Sequence, residues 1–180
     1  TAPPIVPVDF VRRIVLDAAE RRSQVQTRHV KRLTPMTLMG KAFERELELL
    51  ARTILGPHFH EAGLAPKKFA IRPTIRKHNV LTRDVVIQKV AEVVGPGHSV
   101  DLTHYDVLIL VEVYKNICGI SVVGGDFDVL KRYNLAELSH PTATVHAAPA
   151  GQTPPPAEAT TNKDPSEPTP TSDRDRGQLA

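Results

Sequence analysis

Two β-rich runs separated by only two residues constrain the fold more than any other feature of this chain. The first run is Val107–Tyr114 (VLILVEVY), the second is 117–123 (ICGISVV), and Lys115 and Asn116 lie between them. This spacing predicts an antiparallel β-hairpin, although the Asn-Gly order that would specify the turn type is absent. Because the first run is apolar almost throughout, it predicts a strand covered on both faces, at the centre of a sheet.

Helical and strand patterns alternate around this hairpin. Apolar residues at helical spacing predict helices, and alternating residues predict further strands. In chain order, the predicted elements are a helix through Val11, Val15 and Ala18, a strand in 28–39, a helix over 43–54 ended by Gly56 and Pro57, a strand in 67–76, a helix Arg83–Val94 capped by Thr82, the hairpin, and a helix over 127–138. This order predicts an α/β fold, with a small mixed β-sheet packed by helices and no internal repeat.

Proline content divides the chain near residue 139. Of the 16 prolines, 8 lie within 139–180, where Val145 and Leu179 are the only apolar side chains besides alanine. Such a segment cannot bury enough surface to offset the entropy of ordering its backbone, so we expect 139–180 to be a disordered tail. The remaining domain, 1–138, has a predicted core at about 28–125 and a helix at each end. It carries 20 basic and 15 acidic residues, a net charge of +5 against +3 for the whole chain.

Composition excludes membrane and disulfide-rich classes of protein. The longest unbroken aliphatic run, 107–111, is far too short to cross a bilayer, and no signal peptide opens the chain. The single cysteine, Cys118, excludes a disulfide framework and indicates a reducing compartment. We therefore expect no membrane association.

Catalytic and metal-binding motifs are also lacking. Cys118 lies in mid-strand without a nearby base, so we interpret it as a small buried thiol. His58 and His60 follow a helix end and lack the Cys and His cluster of a zinc site, so we interpret them as a surface pair. The glycines at 95–97 and 124–125 lack the spacing of phosphate-binding loops and are explained as turns. The residues predict no catalytic site, no metal, no cofactor and no small-molecule substrate.

Clusters of basic residues are the strongest indication of function. One cluster comprises Arg21, Arg22, Arg28, His29, Lys31 and Arg32, and the other comprises Lys67, Lys68, Arg72, Arg76, Lys77, His78 and Arg83. On a strand, Arg72 and Arg76 point to the same face, and Arg83 begins a helix whose free N–H groups favour anions. This arrangement favours a phosphate cradle for nucleic acid as much as a solvated basic sheet edge. Tyr114 and Tyr133 are the aromatic residues that could reach a nucleotide.

Residues 66–138 resemble a known family in three colinear segments. These are FAIRPTIRKHNVLTRDVVIQKVAEVVG at 69–95, VDLTHYDVLILVEVYKNICGISVVG at 100–124 and KRYNLAEL at 131–138. They are similar to the eukaryotic THUMP-domain proteins that assist tRNA cytidine acetylation, whose matching segments run FxVRPxIRxHxxLxRDxVI, VDLxxYDxLILVEVYKNxCGxSVV and LKRYNLxE. The resemblance continues more weakly from 8 to about 65 and stops at 139.

The resemblance implies a layered α/β THUMP module that binds RNA, usually at a tRNA acceptor end. It implies a non-catalytic adaptor that delivers tRNAs for leucine and serine to a separate RNA cytidine acetyltransferase, which forms N4-acetylcytidine with acetyl-CoA and ATP. It also implies a nuclear or nucleolar location, with the cytoplasm as a second one. Since the family carries a ferredoxin-like domain further upstream, we expect this chain to be the C-terminal part of a longer protein.

The resemblance and the basic clusters together indicate where RNA would bind. The family's basic strand motif falls on Arg72, Arg76 and His78, and its YKN turn begins at Tyr114. We expect phosphates and the 3′ end to be held by shape and charge, with little base readout. The predicted RNA-binding residues are Arg28, Lys31, Arg32, Arg72, Arg76, Lys77, His78, Arg83, Lys115 and Asn116.

Two other functions remain open from the sequence. The chain is alternatively the RNA-binding THUMP module of a tRNA-modifying enzyme, of the methyltransferase, thiouridine or pseudouridine type, whose catalytic domain lies outside this chain. The third possibility is a protein-interaction scaffold that uses its apolar helix faces and does not bind RNA. A catalytic domain in the full reading frame would favour the enzyme, and a lack of tRNA binding at low salt would favour the scaffold.

Overall fold

Five strands form one mixed sheet in the computed structural model, which describes residues 4–20 and 29–139. The described residues belong to one unit of the chain, Thr1–Ala143, and the second unit, Thr144–Ala180, lies outside them. The helices and strands are α1 Pro7–Glu20, β1 Leu38–Lys41, α2 Glu44–Leu55, β2 Lys68–Arg76, α3 Arg83–Val94, β3 Ser99–Val100, β4 Val107–Tyr114, β5 Ile117–Gly124 and α4 Leu135–Ser139. The strand order is β1-β5-β4-β2-β3, which confirms the predicted α/β fold with a mixed sheet.

The hairpin forms as predicted and lies at the centre of the sheet. β4 runs antiparallel to β5, with Tyr114 opposite Ile117 beside the turn. It runs parallel to β2, with Arg76 opposite Tyr114. Val111, in the middle of β4, is fully buried. Because β4 has a paired strand on each side and packed side chains above and below, its apolar run is continuous rather than alternating.

One face of the sheet is covered by α2 and α3. Every second residue of the central strands points toward these helices, and Ile109 and Ile120 are among the buried ones. Helix α3 has the predicted bounds, and the Thr82 hydroxyl caps it by accepting a hydrogen bond from the Val85 N–H. This packing fixes where β2 ends and α3 begins.

The opposite face of the sheet is only partly covered. Helix α1 and the segment after β5 lie over one end, where Val15 and Leu108 are buried. At the other end no described helix lies over the sheet, so Met39 is 58% exposed, Tyr114 44% and Ile117 45%. An apolar and aromatic surface beside the hairpin turn is thus left without a partner among the described residues.

The strand predicted within 28–39 is mostly wrong. Strand β1 covers only Leu38–Lys41, and the described part of 29–37 contributes a single bridge between Arg32 and Asn134. The Leu33 N–H donates to the Tyr133 carbonyl at 3.1 Å, so this stretch pairs with the segment after β5 and not with the sheet. Pro35 has no N–H to donate to a ladder, which explains why strand pairing begins only after it.

Two further differences from the predicted elements are small. Gly56 and Pro57 do not end the helical stretch, because a π-helical turn continues over Gly56–His60. Gly56 keeps right-handed helical angles (φ −46°, ψ −56°), and Pro57 lies in the first turn of the new segment, where its missing N–H costs nothing. The sequence also does not predict β3, whose two residues are too few to show an alternation.

The segment predicted as a helix over 127–138 forms a left-handed turn instead. The three residues Lys131–Tyr133 have φ between 52° and 57°, and helix α4 begins only at Leu135. Left-handed backbone costs a non-glycine residue roughly 1–2 kcal/mol. Tertiary contacts offset this cost, because the Tyr133 ring is fully buried and meets the Phe127 ring edge to face at 4.8 Å. The Tyr133 carbonyl also accepts a hydrogen bond from the Leu33 N–H, and helix propensity cannot predict a turn that depends on a contact so far along the chain.

Replacing Ile109 in β4 tests the central position of this strand. The side chain is fully buried, so Ile109→Ala leaves a cavity and should lower the free energy of unfolding by about 2–5 kcal/mol. The matched control is Ile5→Ala, because Ile5 is 72% exposed, and it should change the free energy by less than about 0.5 kcal/mol. Urea denaturation measures both variants, and equal effects would contradict the burial of β4.

Candidate nucleic-acid interface

The turn between β4 and β5 gathers basic residues from two parts of the chain. Its first residue, Lys115, has left-handed backbone (φ 53°), and its N–H donates to the Arg76 carbonyl at 3.1 Å. Because β2 and β4 are parallel and end together, Arg76 and Lys77 reach the same sheet end as Lys115 and Asn116. All four side chains are exposed. These four predicted residues are called the hairpin-turn cluster below.

His78 holds the hairpin-turn cluster in place through the main chain. Its Nε2 accepts a hydrogen bond from the Leu81 N–H at 2.8 Å, so its Nδ1 carries the proton and donates to the Lys115 carbonyl. Both ring nitrogens are therefore used by the protein backbone. The imidazole joins the loop after β2 to the β4–β5 turn, which makes His78 a positioning residue for Lys115.

An exposed aromatic ring lies beside two of these cations. The Arg76 Cζ is 5.9 Å and the Lys115 Nζ 5.6 Å from the centre of the Tyr114 ring, which are cation–π distances. The ring borders an open groove of about 310 Å³, whose other walls are Thr34, Met36, Met39, Arg76, Glu112, Ile117 and Gly119. An apolar groove with an aromatic ring and flanking cations suits a stacked nucleobase and its phosphates.

Arg72, four residues before Arg76 on β2, is already paired within the protein. Its Nη1 and Nη2 each donate to one carboxylate oxygen of Asp128, both at 3.0 Å. Its guanidinium also lies 5.5 Å from the centre of the Phe127 ring. The Arg72 hydrogen bonds hold the pKa of Asp128 well below its usual range. Arg72 therefore ties β2 to the segment after β5, and Arg76 is the more exposed cation of this strand.

Asp128 accepts two further hydrogen bonds. The Tyr105 hydroxyl donates to it at 2.6 Å and the Arg132 Nε donates at 2.8 Å. Burial, together with the hydrogen bond to Asp128, raises the pKa of Tyr105 to about 12. One carboxylate thus connects β2, the loop before β4 and the left-handed turn. These contacts are called the Asp128 network below.

The other predicted contact residues lie apart from the hairpin-turn cluster. Lys31 and Arg32 are exposed beside the C-terminal part of the domain, where the Lys31 carbonyl accepts a hydrogen bond from the Leu135 N–H at 2.8 Å. Arg83 is the exposed first residue of α3. Arg28 and residues 140–180 of the predicted tail lie outside the described residues.

Comparison with known proteins assigns the domain to a family. Residues 41–123 match the THUMP domain. The chain is 40% identical over 147 residues to tRNA acetyltransferase TAN1 of Saccharomyces cerevisiae. The aligned region covers 77% of this chain and 51% of that protein. An uncharacterized protein of Schizosaccharomyces pombe is also 40% identical, over 73% of this chain and 46% of that protein. The chain therefore contains a THUMP domain.

The match covers a defined part of this THUMP-domain protein. The solution structure of the THUMP domain of THUMP domain-containing protein 1 is 32% identical to it, over 47% of this chain and 88% of that chain, with a TM-score of 0.41. The chain spans about half the length of the curated relatives it matches. The hairpin-turn cluster falls within the matched residues 41–123, whereas Arg32 and the left-handed turn lie outside them.

The cysteine and histidine side chains considered for catalysis or metal binding make hydrogen bonds to main-chain carbonyls in this THUMP-domain protein. Cys118 is buried as predicted, its Sγ donates to the Lys41 carbonyl at 3.1 Å, and burial raises the thiol pKa to about 11. His60 Nε2 donates to the Val93 carbonyl at 2.8 Å. Within 4–20 and 29–139, no group of three or more His, Cys, Asp or Glu is placed to hold a metal ion. In the same residues, no helix is both long and apolar enough to cross a membrane.

Sequence reasoning missed two cations that lie beside a predicted one. Lys131 and Arg132 line an open cavity together with Arg32. The helix predicted over 127–138 gave no reason to place them there, because the bridge between Arg32 and Asn134 joins distant parts of the chain. The adjacent Lys-Arg pair was the one signal in the sequence that could have pointed to them.

Asp128→Asn tests whether the Asp128 network stabilises the THUMP domain. The side chain is 39% exposed, so we expect a moderate loss of about 1–2 kcal/mol in the free energy of unfolding at neutral pH. Because the folded-state pKa of Asp128 is lowered, its contribution is present above about pH 4 and is lost as the pH falls further. Urea denaturation at pH 7 and in acid measures both effects.

Asp17→Asn is the matched control for this experiment. Asp17 is exposed on α1 and makes no hydrogen bond or ion pair with the described residues. Its replacement should leave the unfolding free energy within about 0.5 kcal/mol of wild type. If Asp128→Asn is as stable as Asp17→Asn at neutral pH, the Asp128 network does not hold the domain together.

Proposed function

We propose that this protein binds tRNA and presents it to a separate RNA cytidine acetyltransferase, which forms N4-acetylcytidine. The observation that carries the proposal is the hairpin-turn cluster, where exposed cations flank the Tyr114 ring beside an open groove. The cluster lies within the residues that match the THUMP domain, an RNA-binding module. The name of the budding-yeast relative, tRNA acetyltransferase TAN1, supports tRNA as the RNA and acetylation as the reaction.

Binding at this surface would combine charge with stacking. Arg76, Lys77 and Lys115 would neutralise backbone phosphates, which supplies affinity without reading the base sequence. The Tyr114 ring would stack on an unpaired base, as aromatic residues do at RNA loops and ends. His78 would contribute by fixing Lys115 rather than by touching RNA. This mode of binding suits a single-stranded end of a structured RNA.

The proposal makes the protein an adaptor without a catalytic step of its own. The single carboxylate lining the groove, Glu112, lies 3.4 Å from the Arg76 guanidinium and is paired with it, which argues against a free general base there. The family resemblance supports tRNAs for leucine and serine as the bound species and the nucleus or nucleolus as the location. The catalytic centre would belong to the partner enzyme.

Arg76→Gln combined with Lys115→Gln should weaken tRNA binding and reduce its dependence on salt. Removing one phosphate contact makes the slope of log affinity against log salt less steep by about 0.7–0.9. The slope of the double variant should therefore be less steep by about 1.4–1.8. Arg72 is left unchanged because Asp128 already holds it. Fluorescence anisotropy of labelled tRNA over a salt series gives the affinity and the slope.

A second double variant, Arg52→Gln with Lys89→Gln, controls for net charge. Arg52 lies on α2 and Lys89 on α3, the two helices that cover the closed face of the sheet, away from the hairpin-turn cluster. Each is paired with a glutamate on its own helix. This variant loses the same formal charge and should bind tRNA like wild type. An equal loss in both double variants would mean that net charge alone governs binding and that the hairpin-turn cluster is not the RNA site.

Reconstitution with the acetyltransferase tests the adaptor role. Purified enzyme, tRNA, ATP and acetyl-CoA are combined with and without the full-length protein, and N4-acetylcytidine is measured by mass spectrometry. We expect the modification only when the protein is present, and we expect the Arg76→Gln, Lys115→Gln variant to reduce its yield. Modification by this protein without the enzyme would show that it is catalytic, and equal modification without the protein would contradict the adaptor role.

A further inference from the structure

A second cationic site lies outside the residues that match the THUMP domain. The bridge between Arg32 and Asn134 places Arg32 next to the left-handed turn Lys131–Tyr133. An open cavity of about 260 Å³ lies between these parts of the chain. Its walls are Arg32, Asp128, Lys131, Arg132 and Glu137.

Neither carboxylate of this cavity is paired with Arg32 or Lys131. Asp128 is already shared by Arg132 and two other donors of the Asp128 network. Glu137 accepts a hydrogen bond from the Asn134 amide at 2.6 Å. The side chains of Arg32 and Lys131 make no hydrogen bond or ion pair with the residues in 4–20 and 29–139. The cavity wall therefore carries three cations against two carboxylates, and Arg32 and Lys131, which have no partner among the described residues, are available to an anion from outside the domain.

The left-handed turn fixes the backbone that carries Lys131 and Arg132. The Arg132 N–H donates to the Phe127 carbonyl at 2.8 Å, and the Asn134 N–H donates to the Lys131 carbonyl at 3.0 Å. Strained backbone of this kind persists where its surroundings enforce it, and it is concentrated at binding and active sites. A rigid backbone below the side chains also reduces the entropy that binding must overcome.

We propose that Arg32, Lys131 and Arg132 bind a phosphate group of the RNA backbone. A guanidinium can donate two parallel hydrogen bonds to phosphate, and the lysine ammonium adds a point charge. The cavity walls are all charged side chains, with no aromatic or aliphatic surface to pack against a base, so the cavity suits a phosphate better than a nucleoside. The site rests on the proposed function, since RNA supplies the phosphate.

The position of this site relative to the hairpin-turn cluster supports RNA as the source of phosphate. Asp128, in the cavity wall, is bonded to Arg72, which lies on the same face of β2 as Arg76. Arg72 and Arg76 are four positions apart on the strand, a distance of about 13 Å. One RNA strand crossing the open end of the sheet could therefore contact both groups of cations. An acidic peptide has no base to stack on Tyr114, so it would not bind the groove and the cavity together.

The test is a salt series of tRNA binding with Arg32→Gln and Lys131→Gln combined. We expect an affinity about tenfold lower at moderate salt and a slope lower by about 0.7–0.9 for each phosphate contact removed. Wild type, the Arg76→Gln, Lys115→Gln variant and the Arg52→Gln, Lys89→Gln control are measured beside it. Urea denaturation checks that the variant is folded, and Lys131→Gln alone replaces it if Arg32→Gln lowers the unfolding midpoint.

The outcomes separate this site from the proposed function. If wild type does not bind tRNA at low salt, the proposed function itself fails. If the Arg76→Gln, Lys115→Gln variant loses affinity while the Arg32→Gln, Lys131→Gln variant behaves like the control, the function stands and the phosphate site is overturned.

NMR titration of the amides of Lys131 and Arg132 distinguishes the possible sources of the anion. A single-stranded RNA oligonucleotide, inorganic phosphate and a glutamate-rich peptide are added separately at equal ionic strength. We expect the RNA to shift these amides at concentrations where inorganic phosphate and the peptide do not. Shifts with inorganic phosphate or with the peptide, and none with RNA, would overturn the proposal.

Discussion

The carboxylate of Asp128 is the interaction on which the open face of this domain depends. It accepts two hydrogen bonds from Arg72, one from the Tyr105 hydroxyl and one from the Arg132 Nε. It therefore joins β2, the loop before β4 and the left-handed turn. Charge-assisted hydrogen bonds of this type are short and directional, and several on one carboxylate fix its neighbours in place. The same contact pairs Arg72 within the protein, so Arg76 is the more exposed arginine of this strand and the one assigned to the proposed RNA site.

The two faces of the sheet serve different purposes. The face under α2 and α3 is closed and carries a continuous apolar core. The opposite face is closed at one end only, and at the other end it exposes Met39, Tyr114 and Ile117. Exposed apolar surface of this kind marks a site of interaction. Because the exposed ring is flanked by Arg76 and Lys115, the surface combines the stacking and the charge that single-stranded RNA requires.

Local signals predicted the fold well, and distant contacts were invisible in the sequence. The hairpin, α3 and its Thr82 cap follow from periodicity and capping, which depend on neighbouring residues. The left-handed turn was predicted as a helix because its conformation depends on the burial of Tyr133 and on partners elsewhere in the chain. In the site, charge clustering pointed to Arg72 and Arg76 together, and the structure shows that Arg76 is the more exposed of the two. The pairing of Arg72 could not be predicted, because Asp128 lies far along the chain and approaches only in the folded domain.

Ultraviolet crosslinking of bound tRNA, followed by mass spectrometry of the attached peptides, tests the central claim most directly. The claim is that RNA lies across the open face of the sheet rather than over its helices. We predict crosslinks to peptides that contain Tyr114 or Lys115, and further ones to the left-handed turn. Crosslinks confined to the surface of α2 and α3, for example near Arg52 and Lys89, would contradict the account.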